Sequence, residues 1–318
     1  MITAGATRER VLVLGGSGFV GRHVIAKLAA AGHDVVAVTR RRERARHLLL
    51  LPTVQVVEGD PHDAAVLARH AAGATAAVNL VGVLHERGRQ SFERAHVELP
   101  GLLVAACKGA GVRRILHMRA LGAAADAPSR YLRSKAGGEA AIAASGLAWT
   151  IFRPSVIFGP EDTFLNLFAK LARVLPVIAL AGAHARFQPV YVGDVAACMD
   201  AALPDVETAG QRYELCGPQA YTLEQLVRWV GEVSGAARPV VALGPALSSL
   251  QARVMEWLPG PLLTRDNLLS MQRDNVCGCA FPPCFGVTPR SIEALAPGWL
   301  APASRNSRFD TYRAQRGR

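Results

Sequence analysis

Lysine and aromatic residues are scarce in this chain of 318 residues: four of its 36 basic residues are lysines, and 6% of all residues are aromatic. Specific nucleic-acid binding needs a recognition element or aromatic side chains interleaved with basic ones, and neither pattern occurs. The net charge is nevertheless +11, with clusters of arginine at Arg40–Arg46 and after Pro302. We therefore expect no specific nucleic-acid partner. Phosphate groups or anionic lipid are candidate counterparts of this charge, and a solvated run is the alternative for the tail.

Long apolar runs are also missing. The most apolar uncharged stretch, Val174–Ala183, contains Pro176 and is too short to cross a bilayer. No apolar segment of the signal-peptide kind precedes the first predicted strand. We expect a protein that is neither secreted nor membrane-spanning, located in the cytoplasm, with a position peripheral to the inner face of a membrane left open.

Cysteine is too sparse for a disulfide framework, since the chain has six. Cys107 and Cys198 fall inside apolar helical patterns, which predicts buried, reduced thiols and agrees with a cytoplasmic location. Three thiolates at Cys277, Cys279 and Cys284 could hold zinc with a fourth ligand from elsewhere, but no cysteine or histidine nearby in the sequence supplies one. We favour reduced loop cysteines and predict no metal site.

Half of the residues are apolar and the mean hydropathy is +0.19, so the chain can bury a full core. Short buried-strand patterns alternate with helical patterns from Val11 to Phe152, which predicts an α/β fold of the Rossmann type with a doubly wound parallel sheet. We expect residues 1–153 to form mainly the nucleotide-binding core. Residues 154–300 should form mainly a cap and substrate region with some elements returning to the core, and 301–318 a basic, disordered tail.

A glycine motif follows the first predicted strand and opens the first predicted helix. Gly15 suits a tight turn, Gly18 permits close approach of the backbone to a pyrophosphate, and Gly21 permits close packing of helix on strand. The alternative is a merely structural turn. The position between a strand and a helix favours a dinucleotide site.

The end of the second predicted strand carries arginines where an acidic residue would hold the ribose of NAD. Arg40 and Arg41 suit a 2′-phosphate, which favours NADP(H) over NAD(H). The alternative is a solvated start to the next helix, although basic residues there oppose the helix dipole. Asp60 is positioned to meet the adenine, with a turn-forming role as the competing explanation.

Tyr131 and Lys135 lie four residues apart on a predicted helix, and therefore on one face. The expected chance count of this spacing is about 0.06 in a chain with so few tyrosines and lysines. An ammonium beside a phenol lowers the phenol pKa and permits proton transfer while hydride moves to or from a nicotinamide. The alternative is an aromatic ring packed on a lysine stem.

In its glycine motif and in the spacing of Tyr131 and Lys135, the chain resembles the extended and atypical branch of the short-chain dehydrogenase/reductase superfamily. It is most similar to bacterial relatives of the NADPH-binding Rossmann accessory subunit of respiratory complex I. The resemblance is carried by the glycine motif, the Tyr131–Lys135 segment and four further stretches: Val78–Glu86, Arg153–Asp162, Arg186–Ala196 and Leu258–Leu268. It implies catalytic roles for Tyr131 and Lys135. The cofactor-binding residues that it implies are Gly15, Ser17, Gly18, Phe19, Val20, Gly21, Arg40, Arg41, Asp60, Leu80, Val81, Gly82, Tyr131, Lys135, Pro154, Ser155 and Val156.

One residue departs from the family pattern. Arg119 stands where the family has a serine whose hydroxyl polarises the substrate carbonyl. We expect its side chain to lie near the nicotinamide, where it either binds an anionic or carbonyl oxygen or fills the pocket. Its charge should lower the pKa of Tyr131 further and suppress reduction. The neighbouring hydroxyl, that of Ser129, should point off the catalytic face.

Two functions remain open. The first is an NADP(H)-dependent oxidoreductase or isomerase acting on a small or lipid-like carbonyl compound. We expect an apolar pocket for this compound beside Phe158, Phe164, Phe168 and Phe187. The alternative is that these four rings are ordinary core. The second is a non-catalytic, NADPH-stabilised accessory or assembly protein of a quinone-linked respiratory complex, peripheral to a membrane. The sequence predicts neither the substrate, the partner protein nor the oligomeric state.

Overall fold

A computed structural model describes residues 8–86, 88, 91–257 and 261–302. The strands are β1 (Arg10–Leu14), β2 (Asp34–Thr39), β3 (Val54–Glu58), β4 (Ala76–Asn79), β5 (Arg114–Met118), β6 (Ala148–Pro154), β7 (Ile157–Phe158), β8 (Ile178–Leu180), β9 (Arg186–Phe187), β10 (Val190–Tyr191), β11 (Gln211–Leu215), β12 (Tyr221–Thr222) and β13 (Val240–Ala242). The helices are α1 (Phe19–Ala30), α2 (Ala64–Ala71), α3 (Leu99–Ala110), α4 (Arg130–Ala143), α5 (Leu165–Val174), α6 (Val192–Ala202), α7 (Leu223–Val233), α8 (Pro245–Met255), α9 (Arg265–Ser270), α10 (Ile292–Leu295) and α11 (Pro297–Leu300). Most of the predicted basic tail, from residue 303 on, lies outside the described residues.

The central sheet has seven strands in the order β11-β6-β5-β4-β1-β2-β3, and every pair in it is parallel. Alternate residues of β1 serve its two faces. Val11 and Val13 pack in the cluster that includes α1 and α6, whereas Leu12 and Leu14 pack in the cluster that includes α2, α3 and α4. Helices on both faces of a parallel sheet confirm the predicted Rossmann-type fold.

Elements from the second half of the chain join this core. β11 pairs with β6 at the edge of the sheet, and α6 packs against α1. The other strands after β6 form three two-stranded sheets, β7 with β10, β8 with β13 and β9 with β12. Of the strands that come after β6 in the sequence, β11 therefore belongs to the central sheet, and the others are short strands outside it.

The four phenylalanines proposed to line an apolar pocket instead pack as core. The ring centroid of Phe164 lies 5.5 Å from those of Phe168 and Phe187, while Phe158 packs on Tyr191 and Trp299. All four rings belong to one apolar cluster with α5 and α7. These contacts support ordinary core as the role of the four rings, which was the alternative to a ligand pocket.

Two predicted helices depart from ideal geometry. The segment after the arginines that follow β2, expected as the next helix, forms a 3₁₀ run, Arg42–Leu50, in which only Ala45 and Leu48 are buried. The predicted helix before β5 begins with a π turn, Arg94–Glu98, that continues into α3. Such single π turns are frequent at functional sites.

The expectation that all six cysteines are reduced is wrong for two of them. Cys216 and Cys277 form a disulfide, whereas Cys107 and Cys198 are buried free thiols as expected. The pairing was hidden because the two residues are 61 positions apart in the sequence. The bond also removes one of three thiolates from the zinc alternative, and it takes away part of the support for a cytoplasmic location.

Within the described ranges, no helix combines the length and the apolar character needed to span a membrane.

Candidate functional site

The glycine turn between β1 and α1 has the shape that its sequence predicts. Gly15 has a φ of +82°, and a Cβ there would meet the carbonyl carbon of Leu80 at 2.8 Å. A Cβ on Gly21 would lie 2.2 Å from the carbonyl oxygen of Gly15. Side chains at these two positions would push the turn away from β4 and from its own helix, so both glycines are required for close packing.

The first turn of α1 is free to receive an anion. Gly18 is its N-cap and supplies no side-chain acceptor, and no acidic residue occupies the first turn. The backbone N–H of Gly18 donates to the carbonyl oxygen of Gly15 at 3.0 Å, which closes the turn, and Gly18 itself is exposed. Unsatisfied N–H groups and the positive end of the helix dipole favour a phosphate at this position.

The arginines after β2 lie beside the glycine turn. The hydroxyl of Thr39, the last residue of β2, is 3.4 Å from the hydroxyl of Ser17. Arg40 and Arg41 follow directly and are exposed. The sequence-predicted arginines are therefore brought next to Ser17 at the carboxyl edge of the sheet.

Asp60 has the turn-forming role that was the alternative to adenine binding. Its carboxylate accepts a hydrogen bond from the backbone N–H of His62 at 3.0 Å and lies 3.7 Å from the guanidinium of Arg94. The side chain remains about half exposed, so it is available to a neighbouring ligand as well.

The loop after β4 brings Leu80 and Val81 against the glycine turn and Gly82 against Lys135 of α4. Asn79 is buried, and its side-chain oxygen accepts a hydrogen bond from the N–H of Val81 at 3.1 Å. Its amide nitrogen has no partner in the described part of the protein. A buried amide donor without a partner is uncommon, and this one is available to a polar ligand.

Tyr131 and Lys135 occupy the first two turns of α4, on one face. Burial raises the pKa of Tyr131 to about 12 and lowers the pKa of Lys135 to about 8. The ammonium of Lys135 donates to the carbonyl oxygen of Val81 at 3.4 Å. The expectation that the Lys135 ammonium lowers the pKa of this phenol is therefore wrong, because burial raises it. The phenol is protonated at neutral pH, which is the form that can donate a proton.

His96, which the sequence did not single out, links the loop after β4 to α4. Its Nε2 accepts a hydrogen bond from the N–H of Val83 at 3.1 Å, and its Nδ1 lies 2.8 Å from the hydroxyl of Ser134. That hydroxyl donates to the carbonyl oxygen of Tyr131 at 2.8 Å, so it must accept from an Nδ1–H. Burial, with the charge of Lys135, lowers the pKa of His96 to about 2 and keeps this ring neutral.

The amino end of α4 is held by two side chains. The hydroxyl of Ser129 caps the helix by accepting from the N–H of Leu132 at 3.2 Å, so it is engaged away from the proton-transfer face. Asp266, from α9, accepts from the N–H of Arg130 at 2.7 Å and from that of Tyr131 at 3.1 Å. A carboxylate at a helix amino end is stabilising, and this one fixes the backbone of Tyr131.

Arg119 is buried against Glu139 of α4, and this corrects its expected effect on Tyr131. The carboxylate of Glu139 pairs with Arg119, with Arg153 at 2.5 Å and with Arg212 at 2.7 Å. Burial alone would raise the pKa of Glu139, but hydrogen bonds from the three arginines outweigh it and lower the pKa to about 2. The Arg119 charge is thus already paired, and the pKa of Tyr131 is raised rather than lowered.

The segment Pro154–Val156, at the end of β6, is hydrogen-bonded to Asn275, which lies much later in the sequence. The hydroxyl of Ser155 donates to the side-chain oxygen of Asn275 at 2.6 Å, and the N–H of Val156 donates to the same oxygen at 2.8 Å. Ser155 therefore has a structural partner within the protein. Glu139, Asp266 and Asn275 were not predicted as site residues, because their partners lie far away in the sequence.

Together these residues fit a dinucleotide. The glycine turn and the uncapped amino end of α1 suit a pyrophosphate, the arginines after β2 border one end, and the loop after β4 leads to Tyr131 and Lys135 at the other. A bound nicotinamide would supply or accept hydride at that end.

Comparisons with known proteins agree with this geometry. A family model described as NAD(P)H-binding matches residues 15–168. The chain is 39% identical over 223 residues to the Arabidopsis thaliana mitochondrial protein "NADH dehydrogenase [ubiquinone] 1 alpha subcomplex subunit 9", an alignment that covers 67% of this chain and 55% of that protein. The chain thus spans just over half the length of this relative.

Two further matches cover larger shares. The chain is 31% identical over 257 residues to the ceramide reductase of Caulobacter vibrioides, covering 79% of this chain and 78% of that protein. The crystal structure of the NADPH-dependent quinone oxidoreductase QOR2 from Escherichia coli, complexed with NADPH, superposes with a TM-score of 0.72 at 20% identity, covering 91% and 99% of the two chains. That likeness establishes the fold alone. The chain therefore belongs to the NAD(P)H-binding family that includes the complex I subunit relatives and ceramide reductase.

Proposed function

We propose that this protein binds NADP(H) in preference to NAD(H) and reduces the carbonyl group of a small or lipid-like substrate. The observation that carries the proposal is that Tyr131 and the buried Lys135 share one face of α4, with Lys135 hydrogen-bonded to the loop after β4. The protonated phenol would donate to the carbonyl oxygen as hydride arrives at the carbon, and the ammonium of Lys135 would favour the phenolate that remains. The ceramide reductase relative supports a lipid-like carbonyl compound.

The preference for NADP(H) follows from Arg40 and Arg41, which stand where a 2′-phosphate would lie in this fold. We expect NADPH to bind more tightly than NADH. Arg40→Asp combined with Arg41→Asp should remove the preference, because it replaces two cations with anions.

Calorimetric titration of both nucleotides tests this expectation. Arg113→Asp is the matched control. Arg113 is exposed and precedes β5, so it lies at the amino ends of the strands, whereas Arg40 and Arg41 lie at the carboxyl ends. This substitution should leave the preference for NADPH intact. Equal affinities of the unmodified protein for NADPH and NADH would contradict the proposal.

A second candidate is favoured by the absence of a hydroxyl at position 119 and by the complex I relative. In this function the protein holds NADPH without turnover, as an accessory or assembly protein of a quinone-linked respiratory complex, peripheral to the inner face of a membrane. The polar contacts that hold α4 in place would then serve stability rather than catalysis.

Single-turnover oxidation of bound NADPH with a panel of carbonyl compounds separates the two functions. The reductase should oxidise NADPH with at least one compound of the panel, and Tyr131→Phe should abolish this oxidation without loss of NADPH binding.

Arg119→Ser and Arg119→Ala form a matched pair of variants for the same assay. Removing one oxyanion donor commonly costs about 10²–10³ in rate, so the serine variant should exceed the alanine variant if a donor is what position 119 lacks. NADPH that copurifies and stays reduced across the whole panel, in every variant, would instead support the accessory role.

A further inference from the structure

Helix α8 presents its large apolar side chains outwards and its small ones inwards. Leu247 and Leu250 are each 57% exposed, Val254 is 61% exposed, and Trp257, just past the helix, is 86% exposed. The inward face carries Ser248 and Ala252, both buried. The four exposed residues, at positions i, i+3, i+7 and i+10, form one continuous stripe, which we call the α8 stripe.

This arrangement is the reverse of the usual one. A surface helix of a globular protein normally buries its aliphatic and aromatic residues and exposes polar ones. Single exposed apolar residues need no explanation, but an aligned set ending in an exposed tryptophan marks an interaction surface.

The charges around the stripe indicate which partner it meets. Arg253 borders the stripe, three residues after Leu250, is exposed, and has no ion pair or hydrogen bond from its side chain among the described residues. Arg265 and Arg130 instead line a cavity beside Ser249 and Glu256 of this part of the chain, and each is already paired, with Glu256 at 3.0 Å and with Glu86 at 2.9 Å. An apolar stripe bordered by an exposed arginine, in a chain with net charge +11, is complementary to a leaflet that contains anionic lipid.

Another face of α8, which does not carry the stripe residues, lies near the proposed site. A cavity of about 570 Å³ separates α8 from α9 and from the first turn of α4, with Ser249, Leu268 and Arg130 in its lining. Asp266 lines the same cavity and holds the backbone of Tyr131.

We infer that the α8 stripe is the surface by which this protein docks on a membrane containing anionic lipid, with Trp257 and Leu250 in the acyl region and Arg253 at the phosphates. The inference rests on the peripheral position proposed above and names the surface responsible. It does not require that NADPH be bound or turned over.

Quenching of tryptophan fluorescence by lipids with brominated acyl chains tests this inference in the full chain. Such lipids quench a tryptophan only when its ring enters the acyl region. The vesicles contain phosphatidylcholine with phosphatidylglycerol as the minor component, and cosedimentation is measured in parallel. We expect quenching in the unmodified protein and its loss in Trp257→Phe, which assigns the signal to Trp257.

Leu250→Gln combined with Val254→Gln keeps Trp257 as the reporter and should lower vesicle partitioning about tenfold or more, because two buried aliphatic groups are lost. Leu50→Gln is the matched control. Leu50 is 86% exposed and ends a 3₁₀ segment that packs on α1 and β3, so its substitution should leave partitioning unchanged.

Three outcomes would overturn the inference, and they differ in what else they affect. Vesicle binding without quenching of Trp257 would assign the membrane contact to the basic tail and retain the peripheral position. Absence of vesicle binding would contradict that position as well. A dimer in which Trp257 is already shielded from acrylamide without lipid would mean that a second copy covers the stripe. None of these results bears on NADPH binding, which the titrations above measure separately.

Discussion

His96 and His117 are neutral, buried histidines beside the cation of Lys135. Burial is the main cause that lowers the pKa of His96 to about 2 and that of His117 to about 3, and the charge of Lys135 contributes to both. His96 uses both ring nitrogens in the network that reaches Tyr131, whereas Nδ1 of His117 has no partner in the described part of the chain. Protonating either ring in the folded state would place a second cation next to Lys135.

These shifts predict acid sensitivity. A histidine whose folded pKa lies below its unfolded value of about 6.5 stabilises the fold fully above pH 6.5, and that stability is lost as pH falls toward the folded pKa. Well below pH 6.5 each such histidine should reduce the free energy of unfolding by about 1.4 kcal/mol per pH unit. Glu139 contributes separately, below the unfolded pKa of a glutamate, because its own pKa is lowered.

Urea unfolding between pH 6.5 and about 4.5 measures this slope, above the range in which carboxylates dominate. His117→Asn should reduce the slope, whatever it does to stability at neutral pH. His184→Asn, at an exposed position, serves as the control and should leave the slope unchanged. Equal slopes in the unmodified protein and His117→Asn would show that this residue is not a neutral buried histidine in the fold.

At the scale of elements, α4 is the helix on which the site depends. One face carries Tyr131, Lys135 and Glu139 at successive turns, so a single helix positions the proposed proton donor, the neighbouring ammonium and the carboxylate that holds three arginines. Its amino end is fixed by Asp266, a residue contributed by α9. Small displacements of α4 would therefore move every group of the proposed chemistry together.

We expect Asp266→Ala to lower the free energy of unfolding by about 1 kcal/mol, because it removes a carboxylate acceptor from the first turn. Carbonyl-dependent oxidation of NADPH should fall as well, because the backbone of Tyr131 loses its partner. Thermal unfolding and single-turnover kinetics measure the two effects. Thr222→Ala removes the cap of α7, outside the proposed site, and should cost a similar amount of stability with unchanged kinetics. Equal kinetic losses in both variants would assign the effect to general destabilisation.

The elements that could be predicted from the sequence were those that depend on residues close together in the chain. The glycine turn, α4 and the parallel strands each follow from spacing within about a dozen residues, and all three were predicted. The 3₁₀ run Arg42–Leu50 was predicted as a helix, because hydrophobic period alone does not report that only Ala45 and Leu48 of this segment would be buried.

The groups that were missed depend on contacts between distant parts of the chain. Arg119 was assigned to the nicotinamide side because its position at the end of β5 could be predicted but its partner, Glu139, could not. The same holds for the Cys216–Cys277 disulfide and for Asn275 on Ser155. Apolar character was also ambiguous, since four phenylalanines of the second half form core where a pocket was expected.

At the scale of the whole molecule, the disulfide joins the edge strand β11 to the segment that contacts Ser155 and Val156. Cys216 follows β11 directly, and Cys277 lies two residues after Asn275. The N–H of Cys277 also donates to the side-chain oxygen of Gln188 at 3.0 Å. The bond therefore closes a long loop and stabilises the segment that borders the proposed nicotinamide end of the site.

We expect Cys216→Ser combined with Cys277→Ser to lower the free energy of unfolding by about 2–4 kcal/mol, because the unfolded chain regains the freedom of that loop. NADPH should bind more weakly too, because Asn275 holds Ser155 and Val156 less firmly. Denaturant unfolding with and without reductant, followed by NADPH titration, measures both. Cys279→Ser, at an exposed free thiol, should change neither. A double variant that matched the unmodified protein in oxidising conditions would show that the bond does not form.

The contacts of Asp266 and Asn275 set an order of events during synthesis. All seven strands of the central sheet have been synthesised once translation reaches Leu215 at the end of β11, so the sheet can assemble while the rest of the chain is made. The side chains that fix the start of α4 and the loop after β6 emerge much later. A nascent chain can thus possess its glycine turn long before it can hold a nicotinamide firmly, and cofactor capture becomes one of the last steps in the maturation of this protein.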